Sequence, residues 1–343
     1  MLDENTEVLT FGEIMMRLSP PNNLRLEQAQ SFDVYYGGAE ANVALSLAYQ
    51  GDNAAYVSVV PCNRIGACAL RSLTMYGVDT SRVVREGDRL GTYYFEVGAS
   101  ERASSCVYDR KYSAFNLASH TVFDWDTILE GVGAFYVSGV TPAVSDEMII
   151  AVKEALEACH KKGITTICDL NYRKLWSPEK AQKTMKEYLP LIDICIANDE
   201  DAPACLDISY GSGSLETGIE EKDEYVHIAQ DIASQYGCKL VASVIRDIHS
   251  VEDSSWMGMV YSEGKAHFSP VHREHVLEGV ASGDAFAAGL IHALLHHYDL
   301  DRAAAYAIAA SILKLTIHGD SNLVTSDEIE SVAQKDSGLR VNR

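Results

Sequence analysis

The chain has 343 residues, 47% hydrophobic and 22% charged, which is long enough for one large α/β domain with an elaboration or for two domains. Its 28 basic and 49 acidic residues give a net charge of -21, which excludes nucleic acid and anionic membranes as general partners because both require a basic face. An anionic substrate would therefore need local arginine or lysine.

The eight cysteines are scattered, without a Cys-x-x-Cys pair and without a nearby histidine at metal-ligand spacing, which indicates reduced core residues. The first residues, MLDENTEVLTFGE, contain neither the basic segment of a signal peptide nor an apolar run long enough to cross a membrane. We therefore expect a cytoplasmic protein without a membrane partner.

The N-terminal part of the chain alternates between predicted strand and helix. An apolar run from Val8 to Gly12 predicts a buried strand that leads into a functional loop. Gly37 and Gly38 then open a predicted helix that ends at Gly51. Two glycines before a helix allow a ligand to approach the backbone closely, although such a pair also serves as a plain turn. A strand at 53–60 and a helix at 66–76 follow.

The pattern then changes to two aromatic and β-branched segments, residues 92–97 and 104–109, with only a polar turn between them. This arrangement predicts a β-hairpin, and hairpins inserted into a series of strands and helices often form a lid.

Alternation returns from residue 134, with predicted strands at 134–140, 164–171, 194–197 and 240–245, and an antiparallel pair at 256–261 and 266–271 on the sheet edge. Helices are predicted at 145–162, 177–191, 225–236, 302–316 and 326–334, with a surface loop at 211–214. Polar residues follow several strands: Glu13, the segment 171–173, the segment 198–201 and Arg246. In a doubly wound sheet the carboxyl ends of the strands line one crevice, so these groups should converge.

The segment 277–290 contains the strongest single signal for chemistry. Gly283 leads into Asp284, and Phe286, Leu290 and Leu294 recur at helical spacing, so Asp284 should lie on the first turn of a buried helix. The unpaired N–H groups of a helix N-terminus suit a phosphate, and a neighbouring carboxylate can accept a proton from a nucleophile. The alternative is that Asp284 only complements the helix dipole.

Two separated motifs resemble the signatures of the ribokinase-like (PfkB) carbohydrate kinases. The run from Gly37-Gly38 through Asn42 to Gly51 is similar to the N-terminal signature, and residues 281–284 lie over the C-terminal Gly-Ala-Gly-Asp or Gly-Gly-Gly-Asp. Over about residues 7–335, the resemblance implies an α/β fold, a doubly wound sheet with helices on both faces plus a small β-sheet lid. It implies a single domain over residues 1–343, with lid strands inserted at about 13–36 and 90–114.

Four stretches, residues 11–20, 108–114, 169–176 and 314–322, are similar to the branch of the family that phosphorylates 2-keto-3-deoxygluconate, a sugar acid. The resemblance implies that the substrate is surrounded by Gly38, Asn42, Tyr93, Tyr108, Arg110 and Arg173. The guanidinium groups would bind its carboxylate, although spacing alone also allows Arg110 to be a solvated turn residue and the tyrosines to be lid packing.

The resemblance also implies ATP and Mg²⁺ as cofactors and assigns the chemistry to named residues. Asp284 would be the general base, and the backbone of Ala281, Ser282, Gly283 and Asp284 would form an anion hole. Cofactor contacts are implied for Asn198, Arg246, Gly283 and Lys314. Asp201, where the family has Glu, would hold Mg²⁺ through water, although Asn198 and Asp201 could also be an ordinary helix start.

The sequence departs from the family at Ala281 and Ser282, because the family normally has glycine at the first of these two positions. A position that needs positive φ would cost a non-glycine residue about 1 kcal/mol or more.

The sequence leaves three alternative functions: a kinase of 2-keto-3-deoxygluconate or a close sugar acid, a fructokinase-like sugar kinase, or a sugar-binding homologue with impaired catalysis. An aromatic lid hairpin also favours a homo-oligomer through the lid.

Overall fold

The computed structural model describes residues 2–210 and 217–334, so the loop predicted at 211–214 lies outside the described residues. The first part of the chain contains the elements β1 (Glu7–Phe11), β2 (Met15–Ser19), β3 (Asp33–Gly37), α1 (Ala39–Gln50), β4 (Ala54–Val57), β5 (Val59–Val60), α2 (Arg64–Thr74), β6 (Val84–Arg85), β7 (Thr92–Glu96), β8 (Ser105–Asp109), α3 (Ala114–Leu117) and α4 (Trp125–Ile128).

The middle part contains β9 (Val132–Ser138), α5 (Val140–Ala143), α6 (Asp146–Lys162), β10 (Thr165–Asp169), α7 (Pro178–Tyr188), β11 (Ile194–Ile196), α8 (Asp201–Leu206) and α9 (Lys222–Tyr236). The last part contains β12 (Leu240–Ser250), β13 (Asp253–Ser262), β14 (Lys265–Phe268), β15 (His272–His275), α10 (Ser282–Leu295), α11 (Leu300–Lys314) and α12 (Ser326–Ala333). Across residues 2–210 and 217–334, no helix is long and apolar enough to cross a membrane.

The large sheet has the strand order β14-β13-β12-β11-β10-β9-β1-β4, and β15 also pairs with β13. Six neighbouring strands of this sheet are parallel, namely β4, β1, β9, β10, β11 and β12. The pairs of β13 with β12, β14 and β15 are antiparallel. The parallel strands are nearly continuous apolar runs because both of their faces are covered. The carboxyl ends of the parallel strands therefore share one edge, as the sequence predicts.

Helices pack on both faces of this sheet. One apolar core contains side chains of α6, α7 and α9, and the other contains side chains of α1, α10 and α11. The helices α1 and α10 also pack directly against each other. This contact brings together the two motifs that carried the family resemblance.

A separate four-stranded sheet has the order β3-β2-β7-β8. The predicted hairpin is present as β7 and β8, which pair antiparallel with Tyr93 opposite Tyr108. The strands β2 and β3 come from the segment before α1 and complete the sheet. The predicted combination of a doubly wound sheet with a small extra sheet is therefore confirmed.

The prediction that a strand ends at Ile245 is wrong. The strand β12 continues to Ser250 because its C-terminal half pairs with β13, and Arg246 lies within the strand opposite Trp256. The helix predicted at 177–191 also ends early, at Tyr188, and a single 3₁₀ turn follows it. Proline at position 190 removes a backbone donor, which explains the early end.

Candidate active site

A cavity of about 270 Å³ lies between the small sheet and the helices α1 and α10. Eight of the residues predicted from the sequence line it together: Gly38, Asn42, Tyr93, Tyr108, Arg110, Arg173, Ala281 and Asp284. A larger groove of about 540 Å³ between α6 and α7 is lined by lysine and glutamate side chains and contains none of them. The cavity at α1 and α10 is therefore the candidate active site.

Asp284 lies on the first turn of α10 and is buried. Its Oδ2 accepts a hydrogen bond of 2.7 Å from Nδ2 of Asn42 on α1. Burial is the largest influence on this carboxyl and raises its pKa to about 7, against the lowering effect of the Asn42 hydrogen bond. A carboxyl group with this pKa can hold and release a proton near neutral pH.

The N-terminus of α10 also provides the backbone donors that the sequence predicts. Ala281 is the N-cap, and residues 282–284 form the first turn, where backbone N–H groups have no acceptor within the helix. Ala281 has φ 62° and ψ 13°, in the left-handed region. The position is therefore one where alanine is strained and glycine is not.

Gly38 is the N-cap of α1, and its backbone is extended. A Cβ atom at this position would lie 2.0 Å from the carbonyl oxygen of Glu13, so no side chain fits without movement of the backbone. The Gly38 N–H donates to Oδ1 of Asn42 at 3.3 Å. The Asn42 amide thus joins the N-terminus of its own helix to Asp284.

The two predicted carboxylate-binding arginines have different surroundings. Arg110 is buried, and its Nε donates to Oε2 of Glu13 at 2.9 Å, with a second hydrogen bond from Nη2 to the same oxygen. Arg173 is exposed, and its Nη1 donates to the carbonyl oxygen of Tyr172. Among residues 2–210 and 217–334, Arg173 forms no ion pair, so its remaining N–H groups are available to a substrate anion.

Several residues at the site were not assigned a role from the sequence. Asp320 lines the cavity and accepts a hydrogen bond from the Tyr93 hydroxyl. Arg17 is fully buried and forms ion pairs with both Asp320 and Glu278. These residues belong to stretches that carry the family resemblance, but no spacing rule joins positions about 300 residues apart. The pairing of Arg110 with Glu13 was missed for the same reason.

Asn198 and Asp201 lie at the carboxyl end of β11, beside the cavity rather than in its lining. Asp201 Oδ1 accepts the Tyr172 N–H at 2.7 Å, and its Oδ2 accepts the backbone N–H and Nδ2 of Asn198 at 3.3 and 3.2 Å. Burial, followed by repulsion from Asp201 and Asp284, raises the pKa of the nearby Asp169 carboxyl well above its ordinary value.

This donor set fits Mg²⁺. Magnesium prefers oxygen ligands and usually retains several waters, and a cation would relieve the repulsion among the three buried carboxylates. Both Asp201 oxygens are already occupied by hydrogen bonds, which favours contact through water.

The structure does not bring the other two predicted cofactor contacts to the cavity. Arg246 donates from Nη2 to Oε1 of Glu200 at 2.6 Å. Lys314 is fully buried, and its Nζ donates to the carbonyl oxygen of Ile317 at 2.9 Å. Burial lowers the pKa of Lys314 to about 8. The charge of Lys314 interacts with the Glu278 and Asp320 carboxylates, and Lys314 does not line the cavity.

Comparisons with known proteins identify the family of this chain. Residues 5–327 match the pfkB family carbohydrate kinases. A solved structure of 2-dehydro-3-deoxygluconokinase from Thermotoga maritima is 42% identical with a TM-score of 0.92, covering 96% of this chain and 99% of that one. The 2-dehydro-3-deoxygalactonokinase of Haloferax volcanii is 32% identical, covering 97% of this chain and 98% of that protein.

A structure of fructokinase with bound ATP from Xylella fastidiosa is 20% identical with a TM-score of 0.74, covering 97% of this chain and 99% of that one. At this identity the likeness concerns the fold alone. From the family match and the two closer relatives, the chain belongs to the pfkB family of carbohydrate kinases and is a sugar kinase.

Replacement of Ala281 by glycine tests the strain at the helix start. We expect Ala281→Gly to raise the free energy of unfolding by about 0.5–1 kcal/mol, because glycine adopts positive φ without a steric penalty. Ala285→Gly, one turn further along α10, should instead lower it by at least about 0.5 kcal/mol. Urea denaturation measures both, and a destabilised Ala281→Gly protein would contradict the strain.

Replacement of Asp284 by asparagine tests the cost of burying this carboxyl. Its folded pKa of about 7 lies above its unfolded value of about 3.9, so the folded state loses stability as pH rises from about 4 to about 7. Asp284→Asn should therefore be more stable than the wild type at pH 8 by roughly 1–4 kcal/mol, and by less at pH 5. The exposed Asp126→Asn is the control, and an Asp284→Asn advantage independent of pH would refute the assignment.

Proposed function

We propose that this kinase transfers the γ-phosphoryl group of ATP to the terminal hydroxyl of 2-keto-3-deoxygluconate or a close 2-keto-3-deoxy sugar acid. The observation that carries the proposal is that one cavity contains a buried carboxyl at a helix N-terminus and an exposed arginine that forms no ion pair with any described residue. The first group suits phosphoryl transfer to a hydroxyl, and the second suits a substrate that carries a carboxylate.

Electrostatic attraction is the first contribution to binding of the substrate acid. The protein has a net charge of -21, so a sugar acid would be repelled without a local cation. Arg173 supplies that cation at the cavity edge, and its guanidinium can form two parallel hydrogen bonds to a carboxylate. Arg110 lines the same cavity, but Glu13 occupies its Nε and Nη2, so it contributes a smaller share.

Tyr93 and Tyr108 form the lid side of the cavity, with ring centroids 5.8 Å apart. Tyr93 is fixed by its hydrogen bond to Asp320, while Tyr108 is partly exposed. The two rings, tilted by 32° relative to each other, can cover the apolar face of a sugar and exclude water from the reacting hydroxyl.

Asp284 then acts on the hydroxyl that faces it. Its carboxylate accepts the hydroxyl proton, the oxygen bonds to the γ-phosphorus, and the bond from that phosphorus to the ADP oxygen breaks. The first-turn N–H groups of Ser282 and Gly283 donate to the phosphoryl oxygens as negative charge grows on them. Ala281 and Ser282 retain the backbone donors of the usual glycines, so the altered anion hole keeps its function.

Mg²⁺ would lie near Asp201 and Asn198, where it would neutralise phosphate charge when bound. Asp201 would contact the metal through water, and Asn198 fixes the orientation of Asp201 through its two hydrogen bonds.

The apolar side chains Val34 and Val107 are exposed on the small sheet, which favours burial of this sheet against a second copy of the chain.

The proposal is tested by Asp284→Asn in an ADP-release assay with ATP, Mg²⁺ and a panel of sugars and sugar acids. Loss of the base should lower kcat by about 10²–10⁴-fold, while asparagine keeps the shape and the hydrogen bond from Asn42, so sugar affinity should change less than about threefold. Turnover by the mutant near the wild-type rate would remove Asp284 as the base. Wild-type turnover on neutral ketohexoses only would support a fructokinase-like activity instead.

Arg173→Ala tests the recognition of the substrate carboxylate. We expect the KM for 2-keto-3-deoxy acids to rise about 10-fold or more, since a charged hydrogen bond contributes roughly 1.5–3 kcal/mol, while the KM for ATP changes little. Lys174→Ala, next to it and also exposed, is the control and should match the wild type. An equal rise in the KM values of sugar acid and ATP would contradict the assigned role.

A further inference from the structure

A second polar cluster lies at the other end of the helix pair that forms the active site. Asp52 directly follows α1, while His292 and His296 lie four residues apart at the end of α10. His292 Nδ1 is 2.8 Å from Asp52 Oδ2, and His296 Nε2 is 3.0 Å from Asp52 Oδ1. One nitrogen of each ring and a carboxylate oxygen all lie within 4.8 Å of one another.

The surroundings of this cluster favour a cation. The side chains of Asp52 and His292 are nearly fully buried, while the side chain of His296 is 32% exposed and opens the cluster to solvent. In the described part of the chain, the ion pairs of Asp52 involve only these two histidines. The C-terminal ends of α1 and α10 both lie here, and helix C-termini carry partial negative charge.

The outer contacts of His292 also match a metal ligand. Its Nε2 lies 3.3 Å from Oγ of Ser326, which leaves Nδ1 free to bind a metal when Nε2 carries the proton. The ring of Tyr306 stacks on it with centroids 4.8 Å apart, and the Tyr306 hydroxyl donates to the same Ser326 oxygen. The orientation of the imidazole is therefore held by groups outside the cluster.

We propose that Asp52, His292 and His296 bind one divalent transition-metal ion of the zinc class. Two histidines and one carboxylate are a donor set that suits zinc and its neighbours in the first transition series, with solvent at the remaining position. The spacing of His292 and His296 places both rings on one side of α10. The ligands come from both helices, so the ion ties the C-terminal end of α1 to that of α10.

The consequence for the active site follows from the direction of the two helices. The hydrogen bond between Asn42 and Asp284 joins the N-terminal ends of α1 and α10, and the proposed metal joins their C-terminal ends. The two helices are therefore held together at both ends. Metal that binds only the folded protein stabilises it in proportion to the logarithm of the free metal concentration. The site is structural, and it is separate from the magnesium assigned to the phosphates.

The test is a titration of the chelator-treated protein with Co²⁺, followed by visible absorption. We expect one equivalent of Co²⁺ with ligand-field bands, no thiolate charge-transfer band, displacement by Zn²⁺, and a rise in Tm when either metal is added. His296→Gln should lose this equivalent and the rise in Tm. His296 is partly exposed, so the variant should fold, and its Tm without metal should stay near that of the wild type.

His297→Asn is the matched control, because His297 neighbours His296, lies outside the cluster and has φ 56°, which asparagine tolerates. It should bind cobalt as the wild type does. A wild type without these bands would show that the two imidazoles only donate N–H groups to Asp52. Unchanged bands in His296→Gln, or a thiolate band, would place the metal elsewhere, and each of these results would overturn the proposal.

Discussion

The hydrogen bond between Asn42 and Asp284 is the contact on which the site depends. It joins the first turns of α1 and α10 through two residues 242 positions apart in the chain, and it holds a carboxylate where little solvent reaches it. A buried carboxylate without a donor would be protonated or would move toward water. Asn42 therefore allows Asp284 to remain both buried and ionisable.

The burial of Asp284 supports its proposed role as the base. Burial raises the pKa of Asp284 toward the value at which a carboxyl can accept a proton from a hydroxyl and later release it. The cost is a folded state that is less stable at alkaline pH than it would be with a neutral side chain. The packing of α1 against α10 across the apolar core offsets this cost, because the two helices cannot separate without exposing buried alanine and leucine side chains.

The arrangement of charges supports the proposed sugar-acid substrate. Burial raises the pKa values of Asp169, Asp201 and Asp284 at the strand ends, and the positive charge of Arg173 opposes this rise for each of them. On the lid side, Arg17 is enclosed by Asp320 and Glu278, and Arg110 is paired with Glu13. The protein neutralises these buried arginines, so Arg173 is, of the two arginines in the described cavity lining, the one available to the proposed substrate acid.

Much of the fold and the centre of the site can be predicted from the sequence. Alternating apolar runs and helix starts locate the parallel sheet, and Gly38, Asn42 and Asp284 lie in local motifs whose spacing is readable. The full length of β12 was missed because pairing with β13, not local composition, extends it. The network of Arg17, Asp320 and Glu278 was missed because only the folded chain brings such distant positions together.

The pH dependence of kcat/KM for the sugar acid tests most directly whether Asp284 is the base. This quantity reports ionisations of the free enzyme, so a base with the pKa of about 7 assigned to Asp284 gives an acid limb centred near pH 7. With Asp284 as the base, we expect activity to fall about tenfold for each pH unit below that point. An acid limb near pH 4, the value of an exposed aspartate, would contradict it.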